Sequence, residues 1–359
     1  MRLSSYKLRC ASLKNLSVTS LTDTSSIEFS IVVPLYNKAS EISRCLCSVL
    51  RQTIANFELI VIDDGSTDGG DIVVRSLQDP RLRLLRQENQ GLAITRNHGV
   101  QIARSSIVAF LDADDEWLPN HLEDIARLVQ LHPSAGLFST GFWLDRGGGW
   151  RRSVRLAEKH LKPDTCLIAD YFSIPDGKTL PSALAVRRDA LITAGGFRTM
   201  FGEDIDLLLR MAAMFPMAYN SEPTVIWHLD AKNRMCIEEA ANMKTHQPDS
   251  LLPSLNIVES LDRIPRETKS KARNYVAARE RKAIIDTMKR GRRDHAAYLY
   301  KRWQKEYKKR SIGTALILTM PSLAPKLFGR CGDFLRRAKN TAHYVIEQPK
   351  CISVFGSRR

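Results

Sequence analysis

The sequence has 359 residues and no run of about 18 apolar ones, so no segment reads as a membrane span. The nearest approach, Ile312 to Phe328, is cut by Pro321 and Pro325 and carries Lys326, which suits a buried or interfacial stretch. The first stretch, MRLSSYKLRCASLKNLSVTSL, lacks the continuous apolar core of a secretory signal. It is Ser-rich, basic and poor in acids, and residues 1–27 read as an unstructured leader, with a transit-like role left open. The seven cysteines are scattered and form no CxxC pair, so neither a zinc site nor a disulfide framework is indicated, and a reducing, cytosolic setting fits. Cys45 and Cys47 stand two apart in a helical stretch and so point to different faces. No GxGxxG follows the first apolar strand. PLYNKAS stands there instead, which argues against a dinucleotide-binding oxidoreductase. Internal repeats and long low-complexity segments are absent as well.

What is present is an uneven charge. The formal net charge is +15, but from Ser260 onward about 26 Lys and Arg face about 8 Asp and Glu, so this part alone carries roughly +18. The remainder is slightly acidic. A basic tail of this kind can meet nucleic acid, anionic lipid or a phosphorylated acceptor. It can equally be a solvated helical surface without a specific partner. Ordinary apolar and charged content and sufficient length predict one large domain with an appendage, or two domains.

Periodicity gives the organisation. FSIVV (Phe29 to Val33) is a buried strand ending at Pro34. Ser40 is placed to cap a helix carrying Ile42, Cys45, Leu46, Val49 and Leu50 at helical spacing. Strands follow at Phe57 to Ile62, Arg81 to Leu85 and Ile107 to Leu111, with helices at Asp71 to Gln78 and Leu92 to Ala103 between them. This alternation predicts an α/β fold with a mostly parallel sheet flanked by helices. Further strands are expected at Gly136 to Leu144, Trp150 to Leu156, Leu180 to Arg188 and Pro223 to Leu229, and a helix at Asp204 to Met214. Beyond these the chain turns basic and helical. Polar residues gather just past the strand ends, where ligands bind in such sheets.

Three acidic clusters stand out. Asp112-Ala113-Asp114-Asp115 follows a buried strand, and crowded carboxylates there favour a hard cation such as Mg²⁺ or Mn²⁺. A solvated acidic turn, or Asp115 capping the next helix, is the plainer alternative. Asp63-Asp64-Gly65-Ser66-Thr67-Asp68 can cap a helix and accept hydrogen bonds from a sugar or base, although an Asp-Gly turn accounts for part of it. Gly202-Glu203-Asp204-Ile205-Asp206 opens a helix after a Gly195-Gly196-Phe197 segment. One carboxylate there can act as a base, or the three can simply favour the helix dipole. Arg96 can pair with a phosphate or stand on a helix surface. His228 ends an apolar strand and reads as structural or as an imidazole ligand. Trp117 and Trp143 read as core or as an acceptor shelf.

Taken in order, PLYN, DDGSTD, NQGLAITRN, LDADD, GGF and GEDIDLLLR resemble the family 2 glycosyltransferases of GT-A fold, the inverting group that builds bacterial surface polysaccharides. The resemblance covers about Phe29 to Arg234. It implies a GT-A-like, Rossmann-type mixed α/β sheet in a catalytic domain over residues 28–235, followed by a basic, mainly helical extension over residues 236–359.

The resemblance also implies roles. Pro34, Tyr36 and Asn37 would border the nucleotide, Asp63 and Asp64 its base or ribose, and Arg96 its diphosphate. Asp112, Ala113 and Asp114 would form the DxD element, with Asp112 and Asp114 holding Mn²⁺ or Mg²⁺, His228 completing the metal shell and Asp115 sharing this work. Asp204 would be the catalytic base, with Glu203 as the neighbour able to replace it. AKNR follows His228 where the family commonly has a Ser-containing loop, so His228 departs most from the pattern. The expected donor is a nucleotide-diphosphate sugar, a UDP-sugar in particular, and the expected acceptor a glycan or lipid-linked glycan. With such acceptors the basic extension is expected to meet an anionic membrane, placing the protein in the cytoplasm at the inner face of the plasma membrane, and nucleic acid is not an expected partner. The competing reading is a non-catalytic relative that binds nucleotide-sugar or scaffolds a complex.

Overall fold

The first strand is apolar on both faces, as a strand in the middle of a parallel sheet must be. In the computed structural model it runs over Phe29–Leu35 (β1), and all seven residues are buried. The structure describes residues 29–162, 165–168, 170–174, 177–200, 202–231, 251–289 and 293–307. The expected leader and the Ile312 to Phe328 stretch lie outside them.

Parallel strands β2 (Phe57–Asp63) and β4 (Ile107–Phe110) flank β1, and β3 (Leu82–Arg86) extends the sheet beyond β2. The chain therefore leaves β1 toward opposite sides, and a crevice opens at the carboxyl ends of β1 and β4. Helices α1 (Ile42–Leu50), α2 (Gly70–Ser76) and α3 (Leu92–Ile102) connect these strands. α1 buries Ile42, Cys45, Leu46 and Val49, the expected stripe, and leaves Cys47 partly exposed. Its cap position is Glu41 and not the expected Ser40, whose hydroxyl bonds the Glu41 carboxylate instead of a helix amide. α3 lies so close on β1 that a β-carbon at Gly99 would come within 2.4 Å of Val32 Cγ1.

Beyond β4 the sheet becomes mixed. β5 (Glu116–Trp117), α4 (His121–Leu131), β6 (Leu137–Asp145) and β7 (Arg151–Val154) come first. β8 (Leu184–Arg187), α5 (Arg188–Thr193), α6 (Glu203–Met214) and β9 (Met217–His228) follow. β8 lies antiparallel to both β4 and β6, and β9 runs parallel to β6. β5 pairs antiparallel with the end of β9, Glu116 opposite Ile226, so the chain just after the acidic turn is drawn beside His228. The register of β6 and β9 slips on either side of Gly141, where a β-carbon would meet the Ser221 carbonyl at 2.9 Å. Residues 181–183 form a single 3₁₀ turn before β8, in place of the continuous strand expected from Leu180.

The chain divides into two compact units between Arg273 and Asn274. The first therefore extends past the boundary at residue 235 that the sequence motifs suggest. The reason is α7 (Leu252–Ser260), which packs on α6. Buried Asp206 accepts bonds from Arg198, Arg210 and Ser254, and Arg210 also donates to the Ala194 and Gly196 carbonyls. One carboxylate thus ties α6, α7 and the glycine turn together. α8 (Arg266–Lys289) crosses the division, and α9 (Arg293–Tyr307) follows it. In the second unit Trp303 Nε1 donates to the Ala277 carbonyl at 3.0 Å and stacks on Tyr300. None of the helices among the described residues is long and apolar enough to cross a membrane.

Candidate active site

The loops leaving β1 and β2 are stitched to each other. Asn37 takes a positive φ of 50°, a conformation that Asn tolerates. Its amide donates to Ser66 Oγ and its side-chain oxygen accepts from the Thr67 amide, while the Ala39 amide donates to Asp68 Oδ2. Pro34 is buried within β1, opposite Ile62, and Tyr36 is 49% exposed at the crevice rim. Asp63 is wholly buried, accepts from the Ser66 amide and has Arg86 at 3.4 Å.

Asp64 is turned toward its own scaffold. Its carboxylate accepts from Gln87 Nε2 at 2.8 Å and from the Gln90 and Gly91 amides at 2.9 Å each. It thereby fixes the loop that launches α3. On that helix the Arg96-Asn97 pair divides its labour. Asn97 exchanges two bonds with Phe197, donating to its carbonyl and accepting from its amide. Arg96 is 1% exposed and spans two carboxylates, Asp112 at 2.6 Å and Glu203 at 2.8 Å. Its guanidinium also stands over the Phe197 ring at 5.3 Å.

The four residues of the acidic turn differ in placement. Asp112 is 27% exposed in its side chain and Asp114 17%. Lys38 Nζ meets Asp114 Oδ2 at 2.8 Å, and Arg44 donates to the Asp114 carbonyl. Ala113 is buried in the apolar core, so its side chain is not offered to a ligand. Asp115 is buried too, bonded by Ser182 Oγ and the His228 amide. Burial, reinforced by Asp114 and Asp112, pushes its carboxyl well above the usual range. It does not cap the next helix, whose cap position is Asn120. His228 lies beside the turn, with its Nε2 at 3.3 Å from Glu116 Oε2. Trp117 is core, and its indole donates to the Ser182 carbonyl.

At the start of α6, Gly202 takes a left-handed φ of 76° and opens a helix whose first turn carries Glu203, Asp204 and Asp206. Burial raises the Glu203 carboxyl; Arg96 opposes that rise and Asp204 adds to it. Asp206 belongs to the buried network on α7 and not to the crevice.

Arg96 therefore brings the LDADD and GED motifs to one place, and Lys38 brings the PLYN loop to the same turn. Sequence reading missed Lys38, Arg44, Ser182 and Gln87. Lys38 had one signal, a cation directly after the strand-end motif, whereas Ser182 had none. Among the described residues no group of three or more His, Cys, Asp and Glu side chains is arranged to hold a metal ion by itself. Two partly exposed carboxylates on one turn instead suit an Mg²⁺ or Mn²⁺ ion completed by substrate phosphate and water.

Known proteins resemble this chain in sequence and in fold. An uncharacterized protein from Mycobacterium tuberculosis is 31% identical over 196 residues, covering 51% of this chain and 61% of that one. The Escherichia coli UDP-Glc:alpha-D-GlcNAc-diphosphoundecaprenol beta-1,3-glucosyltransferase WfgD is 44% identical over 95 residues, covering 26% of this chain and 38% of that one. The chain thus spans about three-fifths or less of these curated relatives. Among solved structures, S. aureus TarS 1–349 in complex with UDP-GlcNAc matches with a TM-score of 0.60 at 16% identity, covering 89% of this chain and 93% of that one, a likeness of fold. The family model for glycosyl transferase family 2 matches residues 30–189, so that span is similar to this family, and its fold is GT-A-like.

Proposed function

We propose that the protein is a metal-dependent, inverting glycosyltransferase that moves a sugar from a nucleotide-diphosphate sugar, a UDP-sugar, to an acceptor hydroxyl in surface polysaccharide or glycoconjugate synthesis. The observation that carries this reading is the double pairing of Arg96 with Asp112 and Glu203, which sets a metal-type carboxylate turn against a helix start bearing a second acid. A nucleoside diphosphate leaves poorly unless its charge is offset. A divalent ion held by Asp112 and Asp114, with His228 beside them, supplies that Lewis-acid stabilisation when bound.

The remaining steps belong to the chain's own residues. Pro34, Tyr36 and Asn37 border the nucleotide, with Asp63 and Asp64 supporting the adjoining loops. Arg96 fixes Asp112 and adds positive charge behind the diphosphate. Asp204, next to Glu203 in the first turn of α6, is the base that takes the acceptor proton as the hydroxyl attacks the anomeric carbon from the face opposite the leaving group. One displacement inverts configuration, and no carboxylate nucleophile is needed.

A lipid-linked glycan is the acceptor class we propose, by analogy with the E. coli diphosphoundecaprenol-linked glucosyltransferase. The basic residues from Ser260 onward would then hold the protein on anionic lipid, at the inner face of the plasma membrane. The test is a donor screen with UDP-, GDP- and dTDP-sugars, with and without Mn²⁺, reading donor hydrolysis and transfer. Mn²⁺-dependent turnover of a UDP-sugar is expected. Binding of UDP-sugar without turnover on any acceptor would favour the non-catalytic reading. Co-sedimentation with anionic vesicles at low salt tests the membrane role, and failure to pellet refutes it.

A further inference from the structure

Among the described residues three cations serve the acidic turn, and they are not equivalent. Arg96 is buried and held by two carboxylates on different elements, so it is fixed. Arg44 donates to the Asp114 backbone carbonyl and leaves the carboxylate alone. Lys38 meets the Asp114 carboxylate itself, at 2.8 Å on Oδ2, with 11% of its side chain and 17% of that of Asp114 exposed.

We propose that Lys38 is a resident counter-cation of Asp114 that an incoming divalent ion displaces, and that the released ammonium then takes the donor's diphosphate. This rests on the metal-dependent reading above. A divalent ion and an ammonium require oxygen of the same carboxylate, and their like charges repel at that separation. One must leave for the other to bind fully. Lys38 can leave because only its side chain has to move. Its backbone is pinned: the Lys38 carbonyl accepts from the Glu41 and Ile42 amides, and its neighbours Asn37 and Ala39 are tied to Ser66, Thr67 and Asp68. The four-carbon stem then swings from a fixed root, and its compact charge suits a phosphate.

Before donor arrives, Asp112 faces Arg96 and Asp114 faces Lys38, so the turn offers a free ion little net attraction. A nucleoside diphosphate changes both sides of this balance. Its oxygens complete the ion's shell and give Lys38 a new anionic partner. Lys38 therefore couples the two ligands, so that ion and nucleotide bind together more tightly than either binds alone.

The experiment titrates Mn²⁺ by electron paramagnetic resonance into the full-length protein, with and without UDP, and titrates UDP by calorimetry at saturating Mn²⁺. Wild type is compared with Lys38→Met, Lys38→Gln and Lys38→Arg, the second of these serving if the first melts early. Removal of the charge is expected to tighten Mn²⁺ binding without UDP by roughly five-fold and to weaken UDP binding with Mn²⁺ by a similar factor. Lys38→Arg should retain the wild-type pattern. Unchanged or weaker Mn²⁺ binding in both neutral variants, with wild type binding Mn²⁺ in the presence of UDP, overturns the role of Lys38 alone. No Mn²⁺ binding by any form, even with UDP, overturns the metal reading and this inference with it.

Discussion

The Arg96 guanidinium and the Glu203 carboxylate, 107 residues apart in the chain, meet at 2.8 Å. The other arm of the same guanidinium holds Asp112. A planar fork holds two arms at a fixed span that suits these two carboxylates, and an ammonium, with its donors on a single nitrogen, does not reproduce that span. Arg96→Lys should therefore retain one pairing and lose the other, and Arg96→Met should leave both acids uncompensated. Since Asp112 keeps some contact with water, we expect Arg96→Met to cost about 2–3 kcal/mol, below the full penalty for breaking a buried pair. Urea denaturation measures this. A variant as stable as wild type would show that the bridge does not hold the two motifs together.

Asp204 and Glu203 are neighbours to which the proposed function gives different duties. Glu203 is engaged by Arg96, so a neutral Glu203→Gln should act on stability and on the position of Asp112. Asp204→Asn should instead lower turnover by about 10²–10⁴ while UDP affinity stays within a factor of two, because proton removal matters in the transition state. Steady-state rates together with UDP calorimetry separate the two. Unchanged turnover in Asp204→Asn removes the base assignment.

The parts legible in the sequence are those fixed by local pattern. β1, β2 and β4 are short apolar runs buried on both faces, so their limits could be read within about two residues. The acidic clusters could be placed at strand ends for the same reason. What could not be read depends on pairing across the sheet. β9 begins at Met217, six residues before the expected Pro223, because the less apolar Met217 to Glu222 stretch is held as a strand by β6. Asp114 and Asp115 are adjacent and chemically alike, yet one faces Lys38 and the other is buried under Ser182 and the end of β9. Lys38 and Asp114 stand 76 residues apart, and only the neighbouring positions of β1 and β4 bring them together.

Asp64 offers a test of whether a motif residue supports its loop before any donor binds. It accepts from Gln87, Gln90 and Gly91, so Asp64→Asn replaces an acceptor oxygen with a donor nitrogen and leaves at least one amide without a partner. The expected cost is about 1–3 kcal/mol. Hydrogen exchange at the Gln90 and Gly91 amides should quicken by about ten-fold or more in the protein without donor. Unaltered exchange there would mean that Asp64 matters through the donor alone.

His121 makes stability depend on pH. It is fully buried, beneath the Trp117 ring at 4.3 Å, and burial lowers its pKa from 6.5 to about 3. Thr224 Oγ1 donates to Thr140 Oγ1, so it accepts from His121 Nδ1, which fixes the neutral tautomer with the proton on Nδ1. Nε2 meets no hydrogen-bond partner among the described residues, so a second proton would have no acceptor. The unfolded chain takes up that proton below pH 6.5 and the folded one does not until about pH 3. The stability His121 provides is thus complete above pH 6.5 and is lost as pH falls toward 3, by about 1.4 kcal/mol per unit at most. Urea denaturation of wild type at pH 6.5 and 4.5 should differ by about 2–3 kcal/mol more than that of His121→Gln, which carries no titrating group there. Parallel profiles for the two proteins would mean that His121 gains its proton in the folded state and that its burial as a neutral ring is wrong.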